Sequence, residues 1–263
     1  MWLIVTGGFL VVISLFVYGN VAKRIATEGG KVRTDNFGTA DLLVASLLIL
    51  YFVTAVLQGF HVEPKPVHGV DIVNGAVMFL TLVVFLCSFL HFRGIKLPAQ
   101  FGVRRLGPGR VAGIAVGLLA AAYPLIGLVS ILSQVALGTE AQPQELVKYF
   151  LDASEKSHYS AIFATMLMGV VFAPIAEEFI FRGYFYGILK RHLGIVAGVI
   201  LNAALFAAIH LNETSLLSLF VLAVCFTLAY EFTGSILVNM CMHSLFNLAN
   251  LCLLLYTAHH PVP

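Results

Sequence analysis

The chain has 263 residues, of which 60% are hydrophobic and 11% are charged, and its formal net charge at pH 7 is +2. Soluble domains are about 45–50% apolar and about 25% charged, so this composition excludes an ordinary soluble protein and indicates an integral membrane protein. The small net charge, without a Lys/Arg cluster that has the character of a nucleic-acid site, argues against nucleic acid as a partner.

The hydropathy pattern predicts an all-α, polytopic membrane bundle. Crossing the hydrocarbon core takes about 20 apolar residues in a helix. About eight segments meet this requirement: 2–22, 41–60, 71–92, 111–137, 161–189, 195–211, 214–231 and 235–257. A secretory signal carries Lys or Arg before its apolar stretch, and this first segment has none there. We therefore expect it to be retained as a helix.

Polar residues recur inside the predicted helices only after about residue 158, which suggests a division of the chain. We assign 1–157 to about four N-terminal helices and an interfacial helix, 158–257 to a catalytic helical core and 258–263 to a short tail. The interfacial helix is predicted in the 138–158 loop, where apolar residues such as Phe150 alternate with charges.

Basic residues are concentrated in alternate loops. The first predicted loop has Lys23, Arg24, Lys31 and Arg33, and the third has Arg93, Lys96, Arg104, Arg105 and Arg110. The second loop has Lys65 alone, and four acidic residues offset the two lysines of the 138–158 loop. Because basic loops remain in the cytoplasm, both termini are predicted outside, and we expect a prokaryotic plasma-membrane protein.

The fifth predicted helix contains the segment APIAEEFIFRGYF, residues 173–185. A charged side chain at bilayer depth costs at least about 2.5 kcal/mol, so such residues usually have a function. Glu178 and Arg182 are four residues apart and can pair on one face of the helix, whereas Glu177 points elsewhere and is available. Pro174 is expected to bend the helix. The alternative is a buried ion network that only locks the helices together.

Two later helices have polar stripes with a spacing of four residues, which places each stripe on one helical face. The sixth predicted helix has Asn202, Phe206 and His210, and the eighth has Asn239, His243 and Asn247. At 1.5 Å per residue, Glu177, His210, His243 and Asn247 fall at overlapping depths. We therefore expect these four residues to meet in one cavity within the bilayer.

A carboxylate, two imidazoles and an amide around one cavity are suited to hydrolysis of a peptide bond. The carboxylate would take a proton from water, and the imidazole and amide groups would donate hydrogen bonds to the developing oxyanion. The alternative is a zinc site with Glu177, His210 and His243 as ligands and water in the fourth position. The HExxH motif of single-helix zinc sites is absent from the sequence.

The three motifs EExxxR (Glu177, Glu178, Arg182), FxxxH (Phe206, His210) and HxxxN (His243, Asn247) occur in this order on successive helices. This arrangement resembles the CPBP intramembrane proteases, which include type II CAAX prenyl proteases and abortive-infection or bacteriocin-processing proteins. The resemblance covers roughly residues 160–255.

The resemblance implies a glutamate-dependent endopeptidase acting on a peptide, prenylated or membrane-protein substrate in the bilayer. Glu177 would activate water with help from His210, and His243 and Asn247 would polarise the carbonyl. Supporting positions would be Glu178, Arg182, Phe206, Asn202 and Asn239. A mechanism without a metal is preferred and no cofactor is predicted, although a divalent metal such as zinc stays an alternative.

Two other classes of function stay open at this stage. A proton-coupled transporter also has carboxylates and histidines inside the membrane, but it usually has inverted repeats, and no internal repeat is found here. A non-catalytic membrane scaffold or immunity protein would bind a partner through its membrane face without needing Glu177, His210 or His243.

Overall fold

The computed structural model describes residues 2–59, 66–138 and 145–260. All regular elements within these ranges are helices, so the predicted all-α class is confirmed. The predicted loop residue Lys65 and the last part of the predicted tail, 261–263, lie outside the described residues.

The N-terminal part forms four long helices and two short ones. They are α1 (Trp2–Glu28), α2 (Thr39–Gly59), α3 (Gly69–Phe92), α4 (Leu97–Gln100), α5 (Pro108–Leu137) and α6 (Glu145–Glu155). The left-handed residue Gly138 ends α5, a common way to satisfy the last carbonyls of a helix.

The C-terminal part begins with a long, irregular helical stretch. It consists of α7 (Tyr159–Leu167), a first π-helical segment (Met168–Phe172), α8 (Ala173–Glu177), a second π-helical segment (Glu178–Phe185) and α9 (Tyr186–Ala208). A 3₁₀ turn (Glu213–Ser215), α10 (Leu216–Thr233) and α11 (Ile236–His259) follow.

Among the described residues, seven helical stretches are long and apolar enough to cross a membrane. The sequence predicted about eight, and the two numbers differ because Tyr159–Ala208, which contains the fifth and most of the sixth predicted helices, counts as one stretch. Within this stretch Gly194 has φ 83° and ψ 174°, which is not helical. A Cβ atom on Gly198 would lie 3.0 Å from the backbone nitrogen of Lys190. The chain therefore folds back at Gly194 into a tight helical hairpin.

The predicted interfacial helix is present as α6. Its Phe150 and Ala153 are buried, and the helix packs against α7 and α11. The apolar face of α6 therefore contacts the protein, which differs from a helix that lies on lipid alone.

The buried side chains form two clusters on either side of the polar motifs. In the first, the second π-helical segment packs against α2, α3 and α9 through residues such as Phe52, Leu90, Phe181 and Phe185. The second joins α1, α5, α10 and α11 through residues such as Ala122, Phe226 and Met242. Both clusters contain residues from before and after the predicted boundary at 157, so the N-terminal helices enclose the predicted core.

Candidate active site

The EExxxR motif lies where the helix changes its winding. Glu177 is the last residue of α8 and Glu178 is the first of the second π-helical segment. Pro174 near the start of α8 has no N–H to donate, and the amide of Ala173 beside it bonds to Met168 five residues back. The expected disturbance at Pro174 therefore takes the form of π-helical winding, which occurs frequently at functional sites.

Glu178 is the centre of a buried hydrogen-bond network. Its Oε1 accepts from Arg182 Nη1 at 2.9 Å and lies 2.9 Å from His243 Nδ1, and its Oε2 is 3.4 Å from Asn239 Nδ2. Asn239 Nδ2 also donates to the carbonyl of Phe226 at 2.7 Å. Glu178 thus connects the first motif to the third, and the expected pair with Arg182 is present.

Arg182 is fully buried and is surrounded by aromatic rings. Its guanidinium carbon lies 4.2 Å from the ring centroid of Phe206 and 5.3 Å from that of Phe226. Cation–π contacts of this kind stabilise a desolvated guanidinium by about 2 kcal/mol. Phe206 of the second motif therefore helps to hold the charge of the first motif inside the membrane.

Glu177 has a different environment from its neighbour. Its side chain is 12% exposed, and its Oε2 lies 3.8 Å from His243 Nε2. His243 therefore lies between two carboxylates, with Nδ1 bonded to Glu178 and Nε2 directed at Glu177. The 3.8 Å separation is an ion-pair distance and is too long for a hydrogen bond.

His210 lies against Phe206, which precedes it by four residues in the same motif. Its Nδ1 lies 2.7 Å from the carbonyl oxygen of Phe206, and its ring centroid is 4.7 Å from the Phe206 ring. The Phe206 ring is also 6.0 Å from the ring of His243. Both histidines thus lie beside the ring of Phe206.

Asn247 forms part of the wall of a cavity. Its Nδ2 donates to the carbonyl of Gly169 at 2.7 Å, in the first π-helical segment. The cavity has a volume of about 490 Å³ and lies between α5, α6, α7, α10 and α11. Polar side chains in its wall are Ser130, Thr165, Ser215, Ser218, Asn247 and Asn250, among many apolar ones. A space of this size and mixed lining can accept a short segment of an amphiphilic chain.

Asn202 is the predicted supporting residue that the structure does not join to the others. It is fully buried, and neither side-chain polar atom has a hydrogen-bond partner among the described residues. Asn239, the other predicted supporting amide, is bonded as described above.

The predicted zinc alternative requires Glu177, His210 and His243 to converge on one ion. Among the described residues, no group of three or more His, Cys, Asp or Glu side chains is arranged to hold a metal. The residues present do not fit a three-ligand zinc site in this arrangement.

Sequence reasoning missed Phe226 and Ser218. Phe226 supplies a ring to Arg182 and a carbonyl to Asn239, and the Oγ of Ser218 is buried in the cavity wall without a partner among the described residues. Both lie in the apolar α10, where no motif or period in the sequence distinguishes them from residues that fill space.

Residues 159–249 match the family model described as "Type II CAAX prenyl endopeptidase Rce1-like". The match confirms the resemblance to the CPBP intramembrane proteases over this region, which contains all three motifs. Together with the apolar helices, the match indicates an integral, multi-pass membrane protein that is similar, over residues 159–249, to a family of membrane endopeptidases. No curated protein and no solved structure matches the chain.

Proposed function

We propose that this protein is an intramembrane endopeptidase that uses Glu177 to activate water against a peptide bond. The observation that carries the proposal is the placement of His243 between a fully paired carboxylate, Glu178, and a partly exposed one, Glu177. The family match over residues 159–249 supports the same class of reaction.

Glu177 is the base in this mechanism. Its carboxylate removes a proton from a water molecule as the water oxygen attacks the carbonyl carbon of the substrate. When the C–N bond breaks, the same proton passes to the leaving amine nitrogen. Glu177 suits this role because its side chain is accessible and is free of the Arg182 ion pair that occupies Glu178.

His243 and Asn247 are the oxyanion donors. Glu178 holds Nδ1 of His243 and fixes the ring, so that an N–H at Nε2 would be directed at the oxygen that becomes negative. Asn247 uses one N–H for Gly169, and its second N–H is the other donor. His210, fixed by Phe206, orients the attacking water.

The cavity whose wall includes Asn247 supports a proposed substrate class. Its wall is mostly apolar with a few hydroxyl and amide groups, which suits a membrane-associated polypeptide, including one with a prenyl group of the CAAX type. We place the chain in a prokaryotic plasma membrane with both termini outside, because the basic loops lie at one end of the helices.

The decisive variant is Glu177→Gln, assayed for cleavage of a prenylated peptide in proteoliposomes. We expect a loss of at least about 10²-fold in kcat/KM with an unchanged melting temperature, because the amide keeps the shape and loses the base. Glu155→Gln, an exposed acid on α6, is the matched control. Full turnover by Glu177→Gln would refute the proposal.

Two other outcomes would redirect the assignment. Solute uptake that needs Glu177 in the absence of proteolysis would indicate a transporter. A cellular phenotype that survives substitution of Glu177, His210 and His243 would indicate a scaffold or immunity protein. We also propose that catalysis needs no metal, so cleavage should persist in a chelator, and loss of activity that zinc restores would contradict this.

A further inference from the structure

A second cavity, of about 200 Å³, lies away from the candidate active site. Three separate parts of the chain form it: the segment between α1 and α2, the loop that begins with α4, and the turn between α10 and α11. Its lining residues are Lys31, Arg33, Pro98, Ala99, Gln100, Gly102, Arg104, Arg105 and Gly234. We call this cavity the basic pocket.

The basic pocket has a strong excess of positive charge. Four of its nine described lining residues are cationic and none of the nine is acidic. Neighbouring cations elsewhere are paired: Lys190 with Glu231 and Arg93 with Asp41. No ion pair among the described residues engages the four cations of the basic pocket. Like charges held this closely favour an anionic ligand.

Buried hydrogen bonds fix the walls of the basic pocket in place. Gln100 is 4% exposed, its Nε2 donates to the carbonyl of Arg33 at 2.8 Å, and its Oε1 accepts from Asn36 at 2.8 Å. The amide of Lys31 donates to the carbonyl of Glu231 at 2.9 Å. Two of the three chain segments are therefore joined through Gln100, and α10 is joined to the first of them.

Gly234 leaves bare backbone beneath the cations. It has a φ of +66°, and a Cβ atom there would lie 2.8 Å from Arg105 Nη1 and 2.9 Å from Lys31 Cβ. The Lys31 Nζ also lies 4.9 Å from the ring centroid of Phe232. Both cationic side chains thus close over a residue that tolerates no side chain of its own.

The topology places the basic pocket at one surface of the membrane. The helices α1, α3 and α10 end at this side of the bundle, and α2, α5 and α11 begin there. Phospholipid phosphates lie at this level, and basic pockets between transmembrane helices bind anionic headgroups. Arginine guanidinium groups match the geometry of phosphate oxygens through paired N–H donors.

We propose that the basic pocket binds a phosphate group, supplied by the headgroup of an anionic phospholipid. An occupant would neutralise the four cations and tie the α4 loop to the α10–α11 turn. Phe101 of that loop accepts a hydrogen bond from the amide of Ile236 at 3.0 Å, and its ring lies 5.2 Å from Phe179 beside the EExxxR motif. Occupancy should therefore stabilise the fold around the active site.

The test is a thermal-unfolding titration of the full chain in micelles. Phosphatidylglycerol, phosphatidylcholine and inorganic phosphate are added separately. We expect phosphatidylglycerol to raise the melting temperature and phosphatidylcholine to leave it unchanged. In the double variant Arg33→Gln/Arg104→Gln, the midpoint of the phosphatidylglycerol titration should rise about 25-fold. Each cation near a membrane surface contributes about fivefold in affinity, and the variant removes two of them.

Two further variants separate the basic pocket from general surface charge. Lys23→Gln/Arg110→Gln removes two cations on the same side of the bundle that do not line the basic pocket, and its midpoint should match the wild type. If Arg33→Gln/Arg104→Gln folds poorly, Lys31→Gln/Arg105→Gln is a second variant that removes two cations of the basic pocket. Stabilisation by inorganic phosphate with the same dependence on these residues would identify free phosphate as the source.

The proposal is overturned by an equal loss in the Lys23→Gln/Arg110→Gln control, or by an unchanged midpoint in the pocket variants. It is also overturned if neither phosphatidylglycerol nor phosphate stabilises the wild type. None of these measurements uses proteolysis, so they stand or fall separately from the proposed peptidase activity.

Discussion

Glu178 and Glu231 are completely buried, as is Asp41, and each of these carboxylates is bonded to a cation. Glu178 pairs with Arg182 at 2.9 Å inside the bundle, and Glu231 pairs with Lys190 at 2.7 Å near one end of it. On the evidence of burial and charge alone, the two acids would be equal candidates for a functional site.

The remaining partners of the two acids distinguish them. Glu231 accepts from the hydroxyl of Tyr186 at 2.5 Å and from the amide of Val32 at 3.4 Å, and these partners complete the network. Glu178 instead contacts His243, whose other nitrogen faces the partly exposed Glu177. The two buried ion pairs therefore differ in one respect: only that of Glu178 connects through a histidine to an accessible acid, which is the feature on which the proposed active site rests.

The largest expected effect is on stability, in Glu178→Ala. The change leaves Arg182 buried without its counter-charge, and breaking a buried pair in this way costs about 3–5 kcal/mol. Unfolding in detergent should show this loss. Asp152→Ala removes the acid of an exposed pair with the same i,i+4 spacing, Asp152–Lys156, and should leave stability unchanged. Equal effects of both variants would contradict the role assigned to burial.

The second effect is on catalysis, in His243→Gln. Removing one oxyanion donor typically lowers kcat by about 10²–10³-fold, and we expect the same loss in cleavage. His192→Gln, at the exposed hairpin between the two arms of Tyr159–Ala208, is the control and should retain full activity. A loss confined to KM would mean that His243 binds substrate without stabilising the transition state.

A smaller effect is expected for Glu231→Gln. The hydrogen bond to Tyr186 can persist, but Lys190 loses its charged partner and can reach solvent, so we expect a loss of about 1–3 kcal/mol. The segment after α1 should loosen, and trypsin should cleave faster at Lys31 and Arg33. Glu28→Gln, an exposed acid in the last turn of α1, should not change the cleavage rate. Equal rates of trypsin cleavage in Glu231→Gln and Glu28→Gln would contradict the anchoring role of Glu231.

The smallest effect, and one of opposite sign, is expected for Asn202→Leu. Replacing a buried amide that has no partner among the described residues removes an unsatisfied polar group, so stability should stay equal or rise by about 1 kcal/mol. Cleavage of the peptide substrate should be unchanged. The comparison variant is Asn239→Leu, which removes hydrogen bonds to Glu178 and Phe226 and should lower stability. Loss of activity in Asn202→Leu would restore the supporting role predicted from the sequence.

The sequence predicted the helices and the Glu178–Arg182 pair because both depend on local spacing. Apolar length fixes which segments can cross a membrane, and positions four residues apart meet on one helical face. Hydropathy also separated residues 161–189 from 195–211, and the non-helical Gly194 lies in this gap. The same reasoning did not reveal the π-helical winding around Pro174, because the winding depends on how the neighbouring helices pack and hydropathy does not record packing.

Contacts between residues far apart in the chain are the second feature that the sequence did not predict. Glu178 contacts His243 and Asn239, which lie on α11, and the basic pocket collects cations from two loops that are far apart in the chain. The motif spacing indicated that Glu178 and Arg182 support the site, but not that Glu178 orients a histidine. Only the folded arrangement of the second π-helical segment against α11 brings Glu178, Asn239 and His243 together.

The hairpin at Gly194 has a consequence for the surrounding lipid. After this turn, residues 195–208 extend only about 20 Å, whereas the hydrocarbon core is about 30 Å thick. The helix therefore ends near His210, before the chain reaches the far headgroups. Irregular backbone at this depth is tolerated only where it contacts protein or water. The side-chain oxygen of Asn212 accepts from the amide of Ser215 at 3.0 Å and secures this return. The bilayer is thus expected to thin and admit water on this flank of the protein, which gives a hydrolytic site access to its second reactant.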